Sequence, residues 1–403
     1  LHEPLRQDPR TSLRTIPHLT ERLERFLAEP SHETPFVVVD LQVVADRYRQ
    51  LADALPMADI YYAIKANPAA PILELLVRLG SNFDVASPAE VDMCLAAGAH
   101  PRQISYGNTV KKTRDIEYAY DRGVRLFAFD CDAELDKLAV AAPGATLFCR
   151  IATDGGGAEW PLSRKFGCDH HNATELLIKA HDKGFRVGAS FHVGSQQTDH
   201  HAWEGALSRI GEVFSALRDR DITPALVNIG GGFPGHYLHD NVPAVVEYGR
   251  AISSSLRRHF GDALPRVIAE PGRYLVADAG VLQTEVVLVS RRSIEDAQRW
   301  VYLDAGVFNG LIETIGDSIK YKIRTPYDDG PTGPVALAGP TCDSFDVIYE
   351  KAGYELPLAL EAGDRIEFLS TGAYTTTYAS VAFNGFAPLR EHYLVPENIP
   401  EHL

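Results

Sequence analysis

Short runs of β-branched and aromatic residues alternate with segments of helical period over about 240 residues, beginning after FVVVD at 36–40. Eight such runs stand near Ile60–Ala66, Phe83–Ala86, Ile104–Gly107, Leu126–Asp130, Thr146–Ile151, Val187–Val193, Leu226–Ile229 and Arg266–Glu270. Each is followed by turn residues, and most by a helix pattern. A strand that returns through a helix runs parallel to its predecessor, so the pattern predicts an α/β fold: a closed (β/α)8 TIM-like barrel over residues 41–279. One helix start is sharply written. Ser87 as N-cap, Pro88 at the first position and Glu90 at the third make a capping box.

Beyond about residue 280 the texture changes to TEVVLVSRR, WVYLDAG, GPVALAG and RIEFLS, strands separated by loops without regular helices. This predicts a C-terminal antiparallel β-sandwich domain that also takes the N-terminal FVVVD strand, covering residues 1–40 and 280–403. Gly155–Gly157 and Asp328–Gly333 read as mobile loops, the first as an active-site flap.

Apolar residues at 45% and charged residues at 23% are those of a globular protein with a sizeable core. Fifty-four acidic residues against 39 basic ones, a net charge of −15, exclude a nucleic-acid or anionic-membrane surface and favour a cationic small substrate. The cysteines, Cys94, Cys131, Cys149, Cys168 and Cys342, form no C-x-x-C pair, and their odd number fits the reducing cytoplasm. The N-terminal stretch has no apolar core of signal-peptide type, and no run approaches about 18 uncharged apolar residues, so no membrane is expected.

Read at the C-terminal strand ends, where such barrels keep their chemistry, the chain offers Lys65, Asp84, Arg150, His192, Gly230–Gly232 and Glu270. Lys65 follows an apolar ladder. An amine desolvated by apolar neighbours has a lowered pKa and can attack a carbonyl to form a Schiff base. The glycines of NIGGGFPG let backbone N–H groups approach phosphate oxygens, although a glycine run serves equally as a tight turn. Arg273 can add a guanidinium to the same phosphate and Ser195 a hydroxyl. Glu270 beside a pyridine nitrogen would keep it protonated and make the ring an electron sink; its plainer alternative is a salt bridge to Arg273. His192 can stack on an aromatic cofactor or serve as a core histidine. His170–His171 and His200–His201 lack matching carboxylate or cysteine spacing, so no metal site is predicted.

YAIKAN, FDVAS, HVGSQ, GGGFPG, EPGRY, GPTCDSFD and GAYTTTYASVAFNGF, in that order across residues 35–390, resemble the pyridoxal-phosphate-dependent ornithine decarboxylase family, of alanine-racemase-like fold. The resemblance implies that Lys65 carries pyridoxal 5'-phosphate covalently, that His192 stacks on its ring and that Glu270 pairs with the ring nitrogen. Ser195, Gly231, Gly232, Arg273 and Tyr374 would hold the phosphate. Asp84 matches the family's acid near the cofactor, and Arg150 and Glu90 match its supports, the capping role being a complete alternative for Glu90.

The same resemblance implies a homodimer with shared active sites, Cys342 and Asp343 reaching into the partner subunit. Cys342 would be the proton donor to Cα, an inert thiol being the alternative, and Asp343 and Asp317 would hold the distal ammonium. Lys165 and Asp346 match a pair that bridges subunits, which unpaired surface charges explain equally. Two distal carboxylates with no matching arginine favour a small-molecule diamino acid, ornithine converted to putrescine in polyamine biosynthesis. Lysine converted to cadaverine, or mixed activity, is the alternative, because one methylene is worth only about 1–3 kcal/mol in an apolar pocket. The segment Phe308–Ile315 would set pocket length. Diaminopimelate decarboxylases carry glutamate after the cysteine, a racemase would lack GPTCD, and an inactive regulatory homologue is opposed by Lys65, Glu270, Arg273 and Cys342.

Overall fold

A computed structural model describes residues 19–162, 164–238 and 241–396. The reading of residues 1–18, and the end of the second domain at 397–403, lie outside the described residues. After β1 (Phe36–Asp40), the strands β2 (Ala58–Ala63), β3 (Asn82–Val85), β4 (Ile104–Tyr106), β5 (Leu126–Phe129) and β6 (Thr146–Arg150) follow one another around a barrel. β8 (Arg186–Ser190), β10 (Leu226–Asn228) and β11 (Arg266–Ala269) close it, all eight neighbours being parallel. β7 (Ala158–Trp160) and β9 (Ser195–Gln197) form a small antiparallel ribbon outside the barrel.

Alternation along the strands divides the apolar side chains between two faces. Tyr61, Leu126, Ala128, Phe148, Leu226 and Ile268 contact one another and fill the barrel interior. Their sequence neighbours Tyr62, Phe127, Leu147, Val227 and Val267 belong to the larger core shared with the surrounding helices. Burying Phe148, Leu226 or Ile268 stabilises the plug by about 1.5–3 kcal/mol each. With the interior filled by side chains, only the strand ends are left for chemistry.

The helix Pro88–Ala96 starts as its sequence requires: the Ser87 hydroxyl accepts from the Glu90 N–H at 3.2 Å. The Glu90 carboxylate reaches one residue further back than a standard box and accepts from the Ala86 N–H at 2.6 Å. This anchors the turn just after Asp84.

The second unit is a nine-stranded sheet of β1, β12 (Gly280–Ser290), β13 (Arg299–Leu303), β14 (Ile323–Arg324), β15 (Thr332–Ala338), β16 (Val347–Ile348), β17 (Glu355–Pro357), β18 (Arg365–Leu369) and β19 (Arg390–Leu394). β1 pairs with β12 antiparallel, so the FVVVD strand sits in this sheet. The sheet is nevertheless mixed: β1 runs parallel to β19, and β13 parallel to β15. Parallel neighbours need a long connection, and residues 304–331 supply one between β13 and β15 through short 3-10 turns.

The glycine loop expected as a flap is tied down, the Gln197 amide donating to the Gly156 carbonyl at 2.9 Å. The Asp328 segment is likewise bonded, its carboxylate accepting from the Thr325 N–H at 2.9 Å, and Thr332 and Gly333 already belong to β15. Barrel and sheet meet at buried Asp278, which accepts from the His236 N–H at 3.1 Å, Arg47 at 2.7 Å and the Ser370 hydroxyl at 2.9 Å. Among the described residues, no helix is long and apolar enough to cross a membrane.

Candidate active site

Lys65 stands not on the strand but in the 3-10 turn Ile64–Ala66 just past β2, pinned where the Ala63 N–H donates to the Pro271 carbonyl at 2.9 Å. It is the one exposed residue between Ile60 and Asn67. Its surroundings are acidic rather than apolar. Protein packed around the rim partly desolvates this accessible amine and pulls its pKa down, but Tyr374, Asp84 and Glu270 outweigh that, so the pKa is raised rather than lowered. The lowered pKa expected from the apolar ladder is therefore not found: that ladder lies behind Lys65, whereas the rim in front supplies the charge.

Asp84, one residue before the end of β3, lies beside Ala63 in register and is buried, with one carboxylate oxygen lacking any partner. Burial, then repulsion from Glu270, raises its pKa well above the usual carboxylate range. Gly107 makes room for it, since a Cβ there would come within 2.1 Å of the Asp84 oxygen. Sequence reasoning passed over Gly107, although a glycine directly after β4 was the available signal.

Glu270 follows β11, its N–H donating to the Gly230 carbonyl at 2.8 Å. Its carboxylate accepts from the Asn228 side-chain amide at 2.5 Å. Burial raises its pKa, opposed by that bond, Lys65 and Arg150. Arg150, the last residue of β6, is held over the Phe166 ring at 5.4 Å. His192 accepts the Gly194 N–H on Nδ1 at 3.0 Å, which leaves its proton on Nε2. Burial, then Arg150 and Lys65, hold its pKa well below the ordinary value, so it presents a flat neutral ring.

The glycines face this ring. A Cβ on Gly231 would come within 2.4 Å of the Glu270 carbonyl and 3.3 Å of His192 Nε2, and Gly232 has φ +104. Arg273 is buried at the start of a short helix (Arg273–Val276) and donates to Ser195 Oγ at 3.3 Å and Tyr237 Oη at 2.7 Å. The alternative of a Glu270–Arg273 salt bridge is not realised. Both terminal guanidinium nitrogens instead grip Glu313, at 2.6 and 2.7 Å, a residue the sequence places only within the pocket-length segment Phe308–Ile315. Tyr374 lies 4.9 Å from the guanidinium across its ring, in the left-handed region at φ +56.

The distal-end residues sit apart from this group. Asp317 closes the 3-10 segment Ile312–Asp317 at φ +58, and Cys342 and Asp343 are exposed. Asp346 is no surface charge: it is buried and accepts from the Val307 N–H at 2.7 Å and the Thr341 hydroxyl at 2.7 Å, while Lys165 is exposed. The alternative of unpaired surface charges therefore fails at Asp346, because the carboxylate closes its own loop.

A carboxylate oxygen on Asp84 and the Nε of Arg273 are buried and unpartnered. Such groups cost about 1–3 kcal/mol each. A ligand bearing both a donor and a phosphate would satisfy them, and the neutral His192 ring beside a side-chain-free glycine cradle suits its aromatic body. A lysine among acids, a neutral imidazole and an arginine-lined glycine cup stand together at the strand ends of a parallel barrel, a setting that fits an aromatic aldehyde phosphate.

The family model for the pyridoxal-dependent decarboxylases, pyridoxal binding domain, matches residues 41–277. The lysine/ornithine decarboxylase of Selenomonas ruminantium is 36% identical over 377 residues, 92% of this chain and 91% of that protein. Antizyme inhibitor 2 of Xenopus laevis is 33% identical over 392 residues, 94% of this chain and 85% of that protein. Among solved structures, SrLDC in complex with pyridoxal phosphate and cadaverine superposes with a TM-score of 0.83 at 35% identity, covering 95% of this chain and 96% of that one. The chain belongs to the pyridoxal-dependent decarboxylase family, and pyridoxal phosphate is its cofactor. Its family and neighbours are those of decarboxylases acting on basic amino acids.

Proposed function

We propose that the protein decarboxylates a diamino monocarboxylic acid, ornithine first and lysine second, as a homodimer with shared sites. The observation that carries this reading is Lys65 set among Asp84, Glu270 and Tyr374 at the barrel rim. In this reading Lys65 holds the aldehyde, His192 covers the ring, Glu270 pairs with the ring nitrogen, and Ser195, Gly231, Gly232, Arg273 and Tyr374 hold the phosphate. Bound there, the cofactor supplies an electron sink for the carboxylate's bonding pair. The protein's part is positional and protonic. Asn228 keeps Glu270 aligned. Neutral His192 adds no charge to the ring face.

Asp343 and Asp317 provide anionic ends for a distal ammonium, by charge-assisted hydrogen bonding. The Selenomonas relative is named for both lysine and ornithine, which supports this pair of substrates. Cys342 and Asp343 are exposed on their own subunit with Phe345 close by in the chain, and the Cys342 N–H donates to Asn384 at 3.1 Å, in the segment that also exposes Tyr378, Val381 and Phe386. Such a patch fits burial against a second copy, whose site Cys342 would complete as proton donor to Cα.

Incubation with ornithine, lysine, arginine and diaminopimelate, separately and in competition, with product analysis, tests the assignment. Putrescine or cadaverine as the principal amine supports it, and release of neither overturns it. The likeness to antizyme inhibitor 2 favours a second reading, a non-catalytic regulatory protein. A purified chain that takes up no pyridoxal phosphate would establish that one instead.

A further inference from the structure

Glu313 is buried, at 6% exposure, and its two carboxylate oxygens meet the two terminal nitrogens of Arg273 at 2.6 and 2.7 Å. Arg273 is itself only 3% exposed. Its remaining terminal donors go to Tyr237 and Ser195, so of five N–H groups Nε alone has no partner. The guanidinium charge is therefore already balanced from within the fold. A phosphate held by Ser195, Gly232, Arg273 and Tyr374 would bring a second anion to a cation that a carboxylate has engaged in the strongest available geometry.

We propose that Glu313 sets the affinity of the cofactor's phosphate site. It shares Arg273 with the phosphate and opposes the phosphate's charge, so that the cofactor is held weakly enough to exchange. The inference rests on the reading of Ser195, Gly232, Arg273 and Tyr374 as the phosphate cup. Glu313 touches no reacting atom in this role; it acts through Arg273. Nothing in the local sequence announces it, because its partner lies 40 residues earlier.

The test titrates the cofactor-stripped protein with pyridoxal phosphate, and separately with pyridoxal, following the chromophore in wild type, Glu313→Gln and Arg273→Met. Glutamine keeps the shape and one acceptor while removing the charge. Glu313→Gln is expected to lower the Kd for pyridoxal phosphate by about tenfold, the scale of one removed charge repulsion in a partly screened site. The Kd for pyridoxal, which lacks the phosphate, should stay unchanged. An unchanged or weakened pyridoxal phosphate affinity in Glu313→Gln overturns the proposal and makes Glu313 a mere support of Arg273. Arg273→Met separates the two levels: failure to weaken pyridoxal phosphate would show that the cup itself is misassigned.

A second measurement needs no variant. Wild type should bind the monoanionic methyl ester of pyridoxal phosphate within about threefold of the dianion, since the repulsion from Glu313 offsets the second charge. A loss of tenfold or more on esterification would contradict the proposal.

Discussion

Asn228 donates its side-chain amide to the Glu270 carboxylate at 2.5 Å, across neighbouring barrel strands, and this bond opposes the burial that raises the Glu270 pKa. Removing the donor in Asn228→Ala should raise that pKa further. Hydrogen bonds to charged groups are worth about 1.5–3 kcal/mol, so the rise should be large enough to read in a pH profile. At a given pH fewer molecules then carry ionised Glu270. The acid limb of kcat/KM should move to higher pH, with activity recovering toward the alkaline side. A pH–rate profile checks this, and an unmoved acid limb would separate Glu270 from turnover.

Lys65 stands alone in exposure among buried neighbours and faces Tyr374, Asp84 and Glu270 across the rim. Lys65→Ala should abolish both the yellow chromophore and turnover, since it removes the nucleophile and not a structural contact. Absorbance and amine release measured on the same sample check both, and undiminished turnover would refute the assignment.

Asp343 is exposed and contributes nothing to the cofactor cluster of its own subunit. Asp343→Ala should leave the pyridoxal phosphate Kd unchanged while raising KM for ornithine or lysine about 10- to 100-fold, the worth of a charge-assisted hydrogen bond. Comparable losses in cofactor and substrate binding would argue against a distal-amine role.

At Gly107 an added methyl group would stand 2.1 Å from the Asp84 oxygen. Gly107→Ala must therefore displace the Asp84 carboxylate or β4, and overpacking of this kind costs about 1–3 kcal/mol. Weakened cofactor uptake together with a lowered Tm is expected, with Gly205→Ala, where no atom lies within 4 Å of the new Cβ and the backbone is not left-handed, as the comparison of equal chemistry.

Asp278 is buried where barrel and sheet meet. Burial raises its pKa, but His236 and Arg47 outweigh this and leave it lowered. The lowered folded value means that its stabilisation is fully present above the unfolded pKa near 3.9 and is lost as pH falls through the folded value. Asp278→Asn should destabilise the protein by about 3–5 kcal/mol at neutral pH, because it leaves Arg47 inadequately compensated. Denaturant midpoints measured against pH should show the difference from wild type shrinking below about pH 4. A constant difference would place the cost in packing instead.

All eight barrel strands could be read from the chain, and so could the helix start at Ser87 and the glycine run after β10. Each depends on side-chain period or on turn chemistry within a few residues, which the order of amino acids states directly. Lys65, Asp84, Arg150, His192 and Glu270 were legible for the same reason: each lies at or just beyond a strand end, and barrel closure brings strand ends onto one rim.

What local order could not convey depends on who stands opposite whom. Desolvation lowers the pKa of Lys65, while Tyr374, Asp84 and Glu270 raise it past the ordinary value, and Tyr374 is more than 300 residues away in the chain. Glu313 reaches Arg273 across domains of different texture, Asp346 turns inward onto Val307, and β1 finds a parallel partner at the far end of the chain. The sequence by itself determined which elements form and which chemical groups each strand delivers, because backbone period and turn preference act over a few residues. Only the tertiary structure decided how those groups are charged and shared, because desolvation and Coulomb interactions depend on distance in space and not on separation along the chain.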